Sequence, residues 1–504
     1  MPEPQETKRD GVIFPGLAAS AMLHGLLLSA RLRFKDSFRA LIFPRDSQVF
    51  KTSYPETLVA FEALRAASPE RSEIARFLVE KSHRWILLRA DGVERPLADS
   101  LWELPEAPPL ATTPLRGRGR WQPVVPFEGR SYQGRDLGAL GEALVARELA
   151  TPQVAEALAW IAANALDKQG RLDLAGRRFA LLGAAAAIAP TPILLAAGAE
   201  VLWLDVVPPP DKWLVDDGLS GRITTSKGLG DLLAHPREIA AALQQFAAPG
   251  PIDCGLFAYA PGAGREWRLA SAMNAIVDAV GVERVRSASL YVSPTHPAVL
   301  SKQELDVAGR RRLAQPGWQS VLGALGVLGA AGQTSGARVA GVAAARVQRS
   351  VVRIQGASYQ AAQYIEKVLA MERWAAYGIA GRGGAATLSA NVAGITRTRS
   401  LEHPVFAAAY VGCGAFGVET FTAETTRALS GLLMIHDLLN PKAPGAPGAS
   451  RAEHPQALFS QRVHGGIYGL PFDLQAMLIA ASVLGFAQRP ALLAGLFRRR
   501  PQPS

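Results

Sequence analysis

The chain has 504 residues, 49% of them hydrophobic and 19% charged, with a formal net charge of +11. That is the composition of a globular protein long enough for two or more domains. Its arginines are scattered, apart from Arg310–Arg312 and Arg498–Arg500, which favours a solvated basic surface over a nucleic-acid or membrane partner. The two cysteines, Cys254 and Cys413, form neither a metal pattern nor a disulfide framework, as in a reducing compartment. The polar N-terminus is not a secretory signal. No apolar run reaches the roughly 18 residues of a membrane span, so a cytoplasmic location is expected.

Residues 17–30, 54–67 and 71–81 carry helical apolar spacing, and residues 85–88 read as a short strand. His24 and His83 stand alone and are read as structural. Residues 105–126, rich in Pro, Arg and Gly, read as a linker or a loop draped on the surface. Residues 137–166 are strongly helical. Residues 1–165 are therefore expected to form an α-rich N-terminal region.

The stretch that organises the rest follows. Residues 179–182 are a short apolar run, fit for a strand buried on both faces. Gly183 breaks it, small residues follow, and an apolar helical stretch ends near Gly198. A second strand, residues 200–204, ends at Asp205. Gly183 and Asp205 stand about 20 residues apart, as in a dinucleotide fingerprint whose acidic residue takes the ribose hydroxyls. The alternative is the same unit binding nothing. Strand signals recur at 221–225, 255–260 and 289–293, with helices predicted over 236–246 and 267–280. The alternation predicts an α/β domain over 166–400 with a doubly wound, parallel, Rossmann-like sheet.

Residues 296–349 interrupt the alternation and are predicted to be an appendage beside the substrate cleft. Their apolar stretch, 318–332, is expected to be buried against C-terminal helices. Helical spacing resumes over 358–377, and residues 385–389 precede a Gly/Thr/Arg loop. A helical C-terminal extension over 401–504 is predicted, with helices at 422–439, 474–486 and 491–497 and a Pro/Gly/Ala linker at 441–455. The closing arginines complement a helix dipole; peripheral contact with a membrane surface is the sharper alternative.

In the order and spacing of its motifs the chain resembles the short-chain dehydrogenase/reductase family over roughly residues 176–400. Gly183, Ala187 and Ala189 stand where that family writes GxxxGxG. Asp205 stands where an acidic residue favours NAD over NADP. Asp231, in Gly230-Asp231-Leu232, stands where an aspartate borders the adenine. Tyr259-Ala260-Pro261-Gly262 replaces Asn-Asn-Ala-Gly. Ser293, or alternatively Thr295, ends the strand of the substrate-orienting serine. Tyr359 and Gln363 occupy the Tyr-x-x-x-Lys positions, and Thr396 lies in the segment matching Pro-Gly-x-x-Thr. Asn274 is a candidate for the family's helix asparagine.

The resemblance implies hydride transfer between NAD and an apolar carbonyl or alcohol, with Tyr359 as acid/base. The implied cofactor-binding set is Gly183, Ala187, Ala189, Asp205, Asp231 and Thr396; the catalytic set is Tyr359, Ser293 and Gln363. A homo-oligomer and an apolar small-molecule substrate are expected, and no nucleic acid. Departures fall on two glycines, the asparagines and the lysine. A catalytically silent nucleotide-binding or scaffold protein is therefore the alternative. Gln363 shares a helix face with Tyr359 but lacks the charge that lowers a tyrosine pKa. Lys367 lies about 12 Å further along the axis and about 80° around in a regular helix, so it is not expected to replace the family's lysine. A rival register pairs Tyr364 with Lys367.

Overall fold

The computed structural model describes residues 10–117, 121–329, 338–379, 386–397, 404–447 and 455–494. Near the N-terminus, strands Gly11–Ile13, Leu87–Ala90 and Val93–Pro96 form a small antiparallel sheet. Three helices accompany it: α1 (Ala19–Arg33), α2 (Ser47–Ala67) and α3 (Arg71–Trp85). The Asp46 carboxylate caps α2 by accepting from the Gln48 and Val49 N–H groups. Trp85, expected to open a strand, instead ends α3.

A seven-stranded, mostly parallel central sheet follows. Its strands are β1 (Ala111–Pro114), β2 (Arg178–Leu182), β3 (Glu200–Leu204), β4 (Arg222–Thr225), β5 (Ile252–Leu256), β6 (Val285–Val292) and β7 (Thr387–Val392). Their spatial order is β7-β6-β5-β2-β3-β4-β1, and only β1 runs antiparallel. The stretch 105–126, read as a linker or a surface loop, thus supplies an edge strand. Backbone pairing with β4 holds it there, and Pro114 is tolerated because the strand lies at the edge. A hairpin of Val124–Phe127 and Arg130–Gln133 follows it.

Helices cover both faces of this sheet. On one lie α4 (Pro236–Phe246), α5 (Arg265–Val280) and a long helix, α6, made of Gly356–Gln363, Tyr364–Leu369 and Ala370–Tyr377. Ala180, Leu182, Leu202, Cys254, Leu290 and Ala390 point into this core, together with residues of α1–α3. Successive strand residues face opposite ways, so Phe179, Leu181, Val201, Trp203 and Tyr291 fill the other core. That second face meets the six-residue helix Thr191–Ala196 and a helix near the C-terminus. The helices there are α7 (Pro404–Gly412), α8 (Ala423–Leu439) and α9 (Leu474–Gln488). Met434 and Ile435 of α8 lie against the sheet. α7 and α9 pack closely through Gly412 and Gly485, where a Cβ would fall 1.9 and 1.8 Å from opposing carbonyl oxygens. The expected helix 491–497 is a single turn, Pro490–Leu493, with residues 495–497 outside the described ones.

The described residues of 296–349 stay out of the central sheet. They hold helices Lys302–Leu313 and Gly317–Ala324 and a hairpin at Arg338–Ala343. Trp318 stacks edge-on against Phe416, and Leu328 is buried with Phe472 and Leu474. Val321, Leu325 and Val327 remain exposed, so burial against the C-terminal helices is only partial. The segment is also tied to the body: Glu304 pairs with buried Arg462, and Ala345 N–H donates to the Ala63 carbonyl. Among the described residues no helix is long and apolar enough to cross a membrane.

Candidate functional site

Parallel strands in register bring their carboxyl ends to one edge. Leu182 lies beside Leu204 and Leu256, and Val292 beside Val392. Gly183, Asp205, Ser293 and Thr396, distant in sequence, therefore gather along that edge.

Ser293 lies immediately beyond β6. Its Oγ is 2.8 Å from Thr295 Oγ1, and its N–H donates to Gln363 Oε1 at 2.9 Å. The Tyr359 hydroxyl lies close enough to the Ser293 and Thr295 hydroxyls for both to act on its pKa. Ser293, Tyr359 and Gln363 thus meet, and Thr295 belongs to the same cluster. Gln355 Nε2 donates to Thr295 Oγ1 and Gln360 Nε2 to its carbonyl. Burial raises the Tyr359 phenol above its ordinary value, against the lowering effect of the two hydroxyls. The Tyr259 ring stands edge-on to Tyr359, with centroids 6.2 Å apart, and Tyr410 of α7 lies within electrostatic reach. The cluster therefore has aromatic walls.

The middle of α6 winds as a π-helix, Tyr364–Leu369. Lys367 lies in this segment, four residues after Gln363 and so on the same helix face. Lys367 Nζ donates to the Tyr291 carbonyl at 2.7 Å. Four helical residues rise about 6 Å and two strand residues about 6.6 Å, so Gln363 meets Ser293 while Lys367 meets Tyr291. Lys367 thus faces the floor of the site, but its bond goes to the strand backbone rather than to Tyr359. Burial pushes its pKa down to about 8. Beside it His296, pushed down to about 4 by burial, is neutral and donates through Nδ1 to the Ser293 carbonyl at 2.6 Å. Tyr364 points away, donating to Glu62 at 2.6 Å, which removes the rival register. Asn274 also lies elsewhere: its amide donates to the carbonyl and carboxylate of Glu366.

The glycine turn lies across the sheet from this cluster. Gly183 has φ +95°, and a Cβ there would fall 2.2 Å from the Ala258 nitrogen. Glycine is required because the loop after β5 crosses there, its Phe257 and Ala258 N–H groups donating to the Leu182 carbonyl. The chain then makes two turns before its short helix, with Ala189 buried and its N–H spent on the Ala186 carbonyl. Asp205 accepts from Ala185 N–H at 2.9 Å and Val207 N–H at 3.0 Å, one bond to each oxygen. A carboxylate has about four lone-pair sites, which leaves acceptor capacity for a ribose. Asp231 is exposed and caps its own turn through the Leu233 and Ala234 N–H groups; Gly230, not Asp231, touches the Asp205 backbone. Thr396 hydrogen-bonds to Thr426 of α8 at 3.0 Å. Arg427, the next residue of α8, reaches the turn, with Nε and Nη2 3.0 and 2.8 Å from the Ala187 carbonyl. Asp205 thus brings an acceptor, and Arg427 a cation, to the same turn.

Sequence reasoning missed His296 and Arg427. Each is an isolated residue whose meaning comes from packing between segments distant in the chain. A cleft of about 680 Å³ opens at the other end of the sheet, beside His83, Trp102, Asp278 and Arg373. It includes none of the predicted site residues, and the chemistry follows the hydroxyl cluster rather than the size of that cleft. Compared with protein-family models the chain matches none, and no curated protein matches it.

Proposed function

We propose that the chain is a doubly wound, Rossmann-like oxidoreductase of the short-chain dehydrogenase/reductase kind, acting with NAD on an apolar carbonyl or alcohol. The observation that carries this reading is the meeting of Ser293, Thr295 and Tyr359 at the carboxyl edge of a parallel sheet. Supporting it, the six parallel strands taken in chain order lie as 3-2-1-4-5-6, the order of dinucleotide-binding sheets, whose ligands lie at that edge. The aromatic walls suit an apolar substrate.

The dinucleotide supplies or accepts the hydride. Ser293 and Thr295 hold the substrate oxygen, and the Tyr359 hydroxyl gives it a proton during reduction. With its pKa raised, Tyr359 stays protonated through neutral pH: a ready acid but a scarce base. Carbonyl reduction should vary little between pH 6 and 8, whereas alcohol oxidation should rise with pH by roughly tenfold per unit, up to the raised pKa. A flat oxidation profile would remove Tyr359 as the base.

Gln363→Lys puts a charge beside Tyr359 and favours the tyrosinate, so oxidation should begin at lower pH. The variant also takes the acceptor from the Ser293 N–H, at a cost of about 1–3 kcal/mol in stability. An oxidation profile identical to the wild type would show that position 363 does not act on Tyr359.

Asp205 should favour NADH over NADPH, because its charge opposes a 2′-phosphate. Calorimetric titration tests both the reading and the preference: absence of NADH binding rejects the oxidoreductase, and equal affinities reject the role of Asp205. A second reading, a silent scaffold, is favoured by the bonds that tie Asp205 to the turn and by the short helix after it. That reading expects no binding.

A further inference from the structure

Arg427 is a half-buried cation whose planar fork is spent on one neutral oxygen. Both N–H bonds go to the Ala187 carbonyl, and no carboxylate accepts a bond from it among the described residues. Burial disfavours its charge, and Glu424, exposed on the same helix, offsets that in part. A guanidinium fork is matched better by two oxygens of one anionic group, to which it makes paired, charge-assisted bonds. Its position is also specific. One step along α8 joins Arg427, at the glycine turn beyond β2, to Thr426, whose hydroxyl meets Thr396 beyond β7. The helix thereby spans the two halves of the sheet's carboxyl edge. Ala187 and Ala189 occupy two of the three positions where glycine would let backbone approach a diphosphate, so a side-chain cation there restores what the turn lacks.

We propose that Arg427 is the diphosphate-binding residue of this protein, its fork passing from the Ala187 carbonyl to the phosphate oxygens of a nucleotide diphosphate, with Thr396 and Thr426 alongside. This rests on the reading that the 183–189 turn receives a nucleotide.

The test is calorimetric titration of the full chain, and of its Arg427→Ala and Arg427→Lys variants, with ADP, adenosine and NADH. Circular dichroism and thermal melting establish that each variant is folded. The wild type should bind ADP more tightly than adenosine. Arg427→Ala should weaken ADP and NADH by roughly 10- to 100-fold and leave adenosine unchanged, and Arg427→Lys should recover part of the loss as a point charge. If folded Arg427→Ala binds ADP and NADH like the wild type, the assignment of Arg427 is overturned while the nucleotide site stands. If ADP binding depends on Arg427 but NADH does not bind, the assignment stands and the oxidoreductase reading falls. If the wild type binds none of the three, both fall.

Discussion

Tyr359→Phe should remove carbonyl reduction almost entirely, by roughly 10²- to 10⁴-fold in kcat, the usual contribution of a positioned proton donor. NADH affinity should stay within about twofold, since in the proposed mechanism the lost hydroxyl serves the reacting oxygen rather than nucleotide binding. The change deletes one oxygen, and its neighbours, Ser293 and Thr295, retain each other at 2.8 Å, so the fold should be undisturbed. Ser293→Ala should cost less, because Thr295 remains within reach. A Tyr359→Phe enzyme as fast as the wild type on the same carbonyl would end the assignment of Tyr359 as proton donor.

Arg65→Ala should be the most destabilising single change. Arg65 of α2 is 1% exposed and binds Glu62 through Nε and Nη2 at 2.7 and 2.9 Å. Its Nη1 lies 3.0 Å from Glu372 of α6. Removing it strands two buried carboxylates, at a cost of about 3–5 kcal/mol, measurable as a lowered urea midpoint. The triple change Arg65→Met, Glu62→Gln and Glu372→Gln should regain much of that loss, because burying the charges is itself costly. A midpoint unmoved by Arg65→Ala would mean that water reaches this network.

What was legible in the sequence divides along physical lines. β2, β3, β5 and β6 were visible as apolar runs, because strands buried on both faces carry no polar alternation. For the same reason their ends were blurred: β5 begins at Ile252 rather than 255, and β6 at Val285 rather than 289. β1 was hidden because its residues are exposed and its place depends on backbone pairing with β4. Residue 385 of the 385–389 stretch lies outside the described residues, and residues 387–389 open the longer β7. Within the candidate site, the meeting of Ser293 with Gln363 follows from a strand end and a helix face that were both visible in the sequence. Lys367, eight residues beyond Tyr359, sends its Nζ to the Tyr291 carbonyl, and its place on the face of Gln363 follows from their i,i+4 spacing. His83 was rightly read as structural: it holds Glu366 at 2.8 Å, beside Ser82, Trp267 and Asn274. The partner of Glu366 in that bond lies 283 residues away in the chain, beyond the reach of any local pattern.

The covering of the sheet's second face by α8 has a consequence for biosynthesis. Trp203 and Tyr291 are packed with Met434 and Ile435, which leave the ribosome roughly 230 residues after Trp203 and 140 after Tyr291. At about 5–20 residues per second, the exposed face of Trp203 must wait on the order of 10–50 s for its cover. During that time the nascent chain presents an apolar surface able to join another copy. Early termination before α8 would make that exposure permanent, so truncated chains are the natural clients of chaperones and the natural seeds of aggregation.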